Sequence, residues 1–425
     1  LGASLIEGGH DVSLIDGELI GAKYGKPLNK NEKLFTLLRP LRMMPGKRHR
    51  IYNEAMTSPD HPVWHDMVKK IEKTNPRVVG ITTYTSAMTG VKHLCKILKR
   101  KLDIPIVLGG VHATALPERT LKETGADAII RGEGEQLFLK AVEEFSVGRT
   151  IPPVISTNPL NDLDILPLPA RHLLKDYRLY TTNIITSRGC PYDCVFCASD
   201  TMWGKKVRFR SPKNILTEID ELVEKYKIRG FRFCDDTFTL NKKRVLNICA
   251  ELRMRDYDVV FSCGTRADTM DSDIAKFLKN AKCHTVSMGV ESGNQGVLND
   301  IKKGITKDDV IHTVQILKKA GILVYTFFMV GHQKDSKETI RETINFMKQL
   351  DPDIVEVNIM TPYPGTEAWS SKYENIEWYH FFHQDAGIIS TDFLTREEVS
   401  KEFVKAYKVF AIHSLKKTVS RRFFR

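Results

Sequence analysis

The chain has 425 residues, 42% hydrophobic and 27% charged, with a formal net charge of +12. At roughly 100–200 residues per domain this length predicts two or three domains, and the composition excludes a disordered or fibrous chain. The charge is local: residues 23–50 carry nine Lys or Arg against Glu32 and are +8, residues 416–425 are +5, and the remainder nets −1.

A basic loop and tail on a near-neutral body read as solvated surface, so the expected partner is a small molecule and not nucleic acid. No run approaches the ~18 apolar residues of a membrane span; the longest, Gly321 to Gly331, is interrupted by Tyr325 and Thr326. Eight cysteines, three within residues 190–197, suit a reduced, cytoplasmic compartment and a metal or cluster site.

In chain order, LGASLIEGGHDVSLID reads as a helix and then a strand ending at Asp16. A doubly wound domain begins with a strand, so a first strand is expected ahead of this fragment. Arg77–Thr82 is a β-branched strand, followed by a helix with Val91, Leu94 and Leu98 on one stripe. Ile104–Leu108 is a second buried strand, ended by Gly109-Gly110. Then come a short helix from Pro117, a strand at Ala128–Ile130 and a helix from Glu135 to Phe145. Five prolines in residues 151–182 predict an extended linker.

A second alternating series has strands near Asn183–Thr186, Gly230–Cys234, Val259–Cys263, Thr285–Gly289, Leu323–Val330 and Ile354–Ile359. The helix over 213–227 is the clearest between them, and Tyr325, Phe327 and Phe328 read as core. The fold class is therefore α/β: a doubly wound (Rossmann-like) domain over 1–150, the linker over 151–182, a partial (β/α)6 barrel over 183–370 and a helical segment over 371–425. In both sheets the chemistry belongs to the loops after the strands.

One such loop carries Cys190, Cys194 and Cys197 in the spacing CxxxCxxC. Three thiolates on one tight loop can hold three irons of a [4Fe–4S] cluster and leave the fourth open. A structural zinc site would want a fourth ligand nearby, and no Cys or His closely follows Cys197.

This motif, with Phe196 before the last cysteine and at the first strand of a six-unit barrel, resembles the radical S-adenosylmethionine (SAM) superfamily. The resemblance implies that Cys190, Cys194 and Cys197 hold the cluster while SAM chelates the open iron. One electron passed to the sulfonium then releases a 5′-deoxyadenosyl radical. It also implies SAM contacts by Phe196, Asp235, Asp236, Arg266 and Glu291, a small-molecule substrate, and a low-potential electron donor such as flavodoxin or ferredoxin. Gly331-His332-Gln333-Lys334-Asp335 departs from the Gly-x-Pro-Gly-Glu turn common after the fifth strand.

The amino-terminal half, with Gly-Gly-Val-His-Ala-Thr and Arg-Gly-Glu-Gly-Glu at strand ends, is similar to cobalamin-binding radical SAM proteins. In that class Thr82, Thr83, Ser86, Gly109, Gly110 and Glu133 would line the corrin and its tail. The chain lacks Asp-x-His-x-x-Gly; this is expected where cobalamin is held without a histidine, and equally fits a domain that kept the fold and lost the cofactor. His112 reads as a hydrogen-bonding residue and not as a ligand. The implied reaction is methylation of an unactivated carbon; the alternative is an oxidative cyclisation like that of the anaerobic magnesium-porphyrin cyclases. RNA modification would require further amino-terminal cysteines, and only Cys95 precedes Cys190. A sensor would have no need of a SAM pocket.

Overall fold

The computed structural model describes residues 1–17, 53–174, 182–383 and 388–423; the basic stretch 23–50 lies outside them. After α1 (Gly2–Glu7) and α2 (Pro62–Glu72), four parallel strands form one sheet in chain order: β1 (Val79–Thr82), β2 (Ile106–Gly109), β3 (Ala128–Arg131) and β4 (Val154–Ser156). Between them run α3 (Met88–Lys101), α4 (Val111–Ala115), α5 (Pro117–Thr124) and α6 (Glu135–Ser146). Parallel strands covered on both faces need continuous apolar runs. Accordingly Ile106, Val107, Leu108, Ile129 and Ile130 are all buried, with Val91, Leu94 and Leu98 of α3 packed in as their spacing predicts.

The second sheet is a six-stranded parallel half-barrel in the order β12-β11-β10-β9-β8-β5. Its elements, with a small hairpin, are β5 (Thr182–Ile184), β6 (Ser187–Arg188), α7 (Ser199–Trp203), β7 (Arg208–Phe209), α8 (Pro212–Glu224), β8 (Gly230–Phe233), α9 (Lys242–Arg255), β9 (Val260–Thr265), α10 (Ser272–Asn280), β10 (Cys283–Glu291), α11 (Gln295–Asp300), α12 (Lys307–Lys319), β11 (Leu323–Val330), α13 (Lys337–Leu350) and β12 (Ile354–Ile359). The final helix α14 (Arg396–Phe423) lies along β12: Ser414 Oγ accepts from Val355 N at 3.0 Å, and the Phe410 ring meets Phe328 at 5.3 Å. The segment after the barrel therefore covers an edge that would otherwise offer unpaired backbone groups.

Four expectations change. Val12–Asp16 form no strand: a strand needs a neighbour to exchange hydrogen bonds with, and β1 is an edge of its sheet among the described residues. Val154–Ser156, inside the stretch read as linker, pairs with β3 as the sheet's fourth strand. The barrel series is interrupted by an antiparallel pair, β6 with β7, too short for an alternation signal. Of the aromatics on β11 only Phe328 is buried; Tyr325 and Phe327 stack at 4.6 Å on the strand's half-buried face.

The two sheets meet through charged and aromatic groups. Arg208 pairs with Glu133 at 2.6 Å and Arg188 with Glu135 at 2.5 Å. Glu133 also accepts from Leu160 N at 3.0 Å, while Arg208 donates to Leu160 O at 2.7 Å. Trp378 extends this contact: its Nε1 donates to Glu123 at 2.7 Å, Arg119 lies 4.2 Å over its ring, and His112 meets it edge-on at 4.7 Å.

Candidate active site

The loop from β6 to α7 carries the three cysteines, all as free thiols. Its shape is set by backbone contacts. Gly189 has φ +96°, and a Cβ there would come within 2.5 Å of Lys206 O, so the turn into Cys190 requires glycine. Cys197 N then donates to Cys194 O at 3.0 Å, Val195 N to Ile301 O at 3.1 Å, and Ala368 N to Val195 O at 2.9 Å. Val195 and Phe196 pack on Val297, Leu298 and Ile301 of α11 and its end. The loop is held from both sides, with its sulfurs on the mouth of the half-barrel.

Among the described residues, no three Cys, His, Asp or Glu side chains gather around a point that a single metal ion could occupy. Three thiols on one loop can each bind a different iron of a cluster. Burial pushes the Cys190 thiol above its usual value, and Asp236 and Cys194 add to this; a bound cationic cluster would reverse that shift.

The neighbouring charges divide into groups that face the cysteines and groups that support them. Arg266, 5% exposed, lies 3.4 Å from the Tyr192 ring centroid and approaches Cys194 Sγ at 3.8 Å. It also donates to Asp268 Oδ1 at 3.0 Å and Lys303 O at 2.7 Å. Glu291, at φ +67°, pairs with Lys303 at 2.7 Å, both buried. Lys303 Nζ in turn lies 5.8 Å from the Phe196 ring centroid. Asp236 is exposed and accepts from Ser199 Oγ, just past the cysteine loop, at 2.6 Å.

Asp235 is turned away from this group. It accepts from Thr186 N at 2.6 Å, Ser187 N at 3.0 Å and the Thr186 hydroxyl, so it fixes the strand end that leads into the loop. Burial raises its pKa, against these hydrogen bonds and the charge of Arg244. Asp235→Asn should fold nearly normally, because the amide oxygen can take both N–H groups and the amide nitrogen can donate to Thr186 Oγ1. Asp235→Ala should cost about 3 kcal/mol by orphaning those donors. Urea titrations of the two variants against wild type distinguish these outcomes; equal losses would mean that the charge itself is what matters.

At the carboxyl edge of the first sheet, Thr82 and Tyr84 are exposed and Ser86 and Gly109 half-buried. Thr83 is buried, donates to Gly109 O at 2.8 Å and accepts from Ala113 N at 3.0 Å. Gly110, at φ +97°, packs so closely that a Cβ would come within 2.8 Å of Thr83 N and O. Thr83, Gly110 and the ion-paired Glu133 thus build the edge, while Thr82 and Tyr84 remain exposed beside the half-buried Gly109, which offers no side chain against a flat ligand approaching closely. His112 is turned inward: Nδ1 lies 3.1 Å from Thr85 Oγ1, and burial lowers its pKa to about 4. A corrin at this edge would therefore receive no imidazole from His112.

Sequence reading missed Arg188, Arg208 and Lys303. Arg188 lies two residues before Cys190 and could have been noticed; Lys303 has no spacing that marks it.

The family profile of the Radical SAM superfamily matches residues 184–347, and that of the B12 binding domain matches residues 40–142. An uncharacterized methyltransferase, PH0819, of Pyrococcus horikoshii is 34% identical over 81% of this chain and 81% of its own length. The anaerobic magnesium-protoporphyrin IX monomethyl ester cyclase of Rubrivivax gelatinosus is 29% identical over 85% of this chain and 70% of its own. Among solved structures, the radical SAM methyltransferase TsrM of Kitasatospora setae, with cobalamin and a [4Fe–4S] cluster bound, superposes with a TM-score of 0.58 at 18% identity, covering 69% of this chain and 63% of that one. The cobalamin-dependent SAM radical enzyme OxsB superposes at 0.59 with 17% identity, covering 80% of this chain and 49% of that one. The likeness to these two is one of fold, and this chain spans less than two thirds of the length of either.

Proposed function

Because this chain belongs to the cobalamin-binding radical SAM family, we propose that it is a radical SAM methyltransferase acting on an unactivated carbon of a small molecule. The observation that carries this reading is the juxtaposition of two edges. A three-thiol loop stands at the half-barrel mouth, and the carboxyl end of the first sheet is fastened by the Arg188 and Arg208 ion pairs to the β6–β7 strand pair that flanks that loop. A radical source and a methyl source must reach one substrate carbon, and the junction of the two sheets supports a site that both could share.

With the cofactors bound, the cluster and SAM supply a 5′-deoxyadenosyl radical and cobalamin supplies the methyl group. The chain's own part is to hold and orient. Cys190, Cys194 and Cys197 hold the cluster, and Arg266 sets a positive charge against the Cys194 sulfur. Phe196 gives an apolar face to SAM, with Glu291 and Lys303 as a paired charge behind it. Asp236 steadies the loop through Ser199, and Asp235 steadies it from below. Thr82, Tyr84 and Gly109 receive the corrin. The electron enters from a small donor of flavodoxin or ferredoxin type.

Cyclisation is the second reading, favoured by the 29% identity to a cyclase across 85% of the chain. The two separate on anaerobically reconstituted protein given reductant, cobalamin and SAM labelled in its methyl group. Methyl transfer predicts label on cobalamin with S-adenosylhomocysteine released, besides 5′-deoxyadenosine. Formation of 5′-deoxyadenosine alone would move the assignment to cyclisation.

A further inference from the structure

Arg266 directly follows β9 and is buried. A guanidinium holds its N–H donors in one rigid plane and keeps its charge throughout the range in which a protein is folded. Here Nε donates to Asp268 Oδ1 at 3.0 Å, and Nη2 donates to Asp268 Oδ2 at 3.2 Å and to Lys303 O at 2.7 Å. The Tyr192 ring lies against the plane, with its centroid 3.4 Å from Cζ. These contacts fix the group and leave Nη1, which is directed at Cys194 Sγ from 3.8 Å.

Tyr192 and Cys194 belong to the same cysteine loop, so one side chain holds that loop by a ring and by a sulfur. The charges around it are unequally shielded. The Arg266 side chain is 6% exposed and that of Asp268 is 28% exposed, so water screens the counter-ion more than the cation. A charge in a dry site acts more strongly than one in contact with water.

A thiolate bound to iron still accepts hydrogen bonds, and such bonds at the sulfurs help to set a cluster's reduction potential. Three thiolates make the cluster's surroundings negative, and an added electron makes them more so. A fixed cation beside one sulfur therefore favours the reduced form. We propose that Arg266 acts on the cluster: Nη1 hydrogen-bonds the Cys194 thiolate and raises the reduction potential, so that a one-electron donor of the flavodoxin or ferredoxin class can load it. One electron leaves the donor and enters the cluster, and no bond is made or broken in this step. Arg266 is then a redox-tuning residue and not a SAM contact, because its other donors are committed within the protein. This rests on the assignment of the cluster to the three cysteines.

The test uses the full chain with its cluster reconstituted and no SAM, titrated with dithionite through redox mediators, with the reduced cluster read by electron paramagnetic resonance. Arg266→Gln should disfavour the reduced form about tenfold, a downward shift of about 59 mV for one electron. Arg266→Lys, which keeps the charge without the fork, should fall between this variant and wild type. Asp268→Asn, which removes the counter-ion and leaves the guanidinium, should shift the potential upward. A merely structural arginine would change iron content or melting temperature without setting potentials in this order. Equal potentials in wild type and Arg266→Gln overturn the proposal. So does a loss of S-adenosylhomocysteine affinity at unchanged potential, which would return Arg266 to SAM. If Arg266→Gln holds no cluster, the other two variants decide: shifts in opposite directions support the proposal and shifts in the same direction overturn it. If wild type itself takes up no [4Fe–4S] cluster, the reading of the cysteine loop fails and the proposal with it; if the cluster forms and the potentials coincide, only the role of Arg266 falls.

Discussion

Cys194→Ala is expected to abolish reductive cleavage of SAM, with a loss of at least about a thousandfold, while the protein still folds. The cluster is the only route for the electron, so removing one of three ligands removes the chemistry instead of slowing it. Folding should survive because Cys194 is only half-buried and its loop is held by other groups, through Val195 and Cys197 backbone bonds and the packing of Phe196. Iron and sulfide content and the cluster's visible absorption, followed beside the circular dichroism spectrum, check both halves. Cys95→Ala is the contrasting control. Cys95 is a fully buried residue of α3, so its truncation should cost about 1–2 kcal/mol and leave the cluster in place. If Cys194→Ala keeps a full cluster spectrum and cleaves SAM normally, the ligand assignment is wrong.

Glu133→Ala should cost about 3–5 kcal/mol, the range for breaking a buried ion pair by removing one partner. Glu133 and Arg208 are each 3% exposed in their side chains, and Leu160 N loses its acceptor as well. The damage should concentrate where the two sheets meet, so protease cutting between residues 151 and 182 should become faster. Its neighbour Glu135 makes the same junction sensitive to acid. Burial pushes the Glu135 pKa up, but the charge and hydrogen bond of Arg188 outweigh it, and the net value lies below the usual 4.5. Stability from this pair is thus complete above about pH 4.5 and is lost as pH falls through the folded-state value. Melting curves of wild type and Glu135→Gln should differ at neutral pH and converge in acid; a constant difference down to pH 3 would show that the carboxylate's charge is not the source.

Much of this was legible because it is local. The cysteine spacing is a property of eight consecutive residues, and a loop that short keeps three thiols together whatever surrounds it. The barrel strands were found because parallel strands buried on both sides need unbroken apolar runs, and Leu323–Val330 or Ile354–Ile359 can hardly be read otherwise. The helix stripe of Val91, Leu94 and Leu98 follows from the same constraint at helical period.

Where a single residue had to be given a direction, sequence was weaker. Asp235 and Asp236 are adjacent and chemically identical, yet one is buried beneath Thr186 and the other lies exposed beside Ser199. Consecutive residues at a strand end face opposite ways, and only the packed strand decides which is which. Thr83 and Glu133 were read as ligand contacts and are committed within the protein, to Gly109 and Ala113 and to Arg208. Val12–Asp16 had the composition of a strand, but a strand exists only in the company of another.

The amino-acid sequence by itself determined the two α/β units and the cysteine loop, because each is written in short-range pattern and spacing, and the class of chemistry followed from the family resemblance that the loop carries. The tertiary structure alone decided which charges face the cysteines and which fasten the two sheets together. These depend on pairs far apart in the chain, such as Glu133 with Arg208 and Cys194 with Arg266, whose distance is set by packing and leaves no mark on either residue's neighbours.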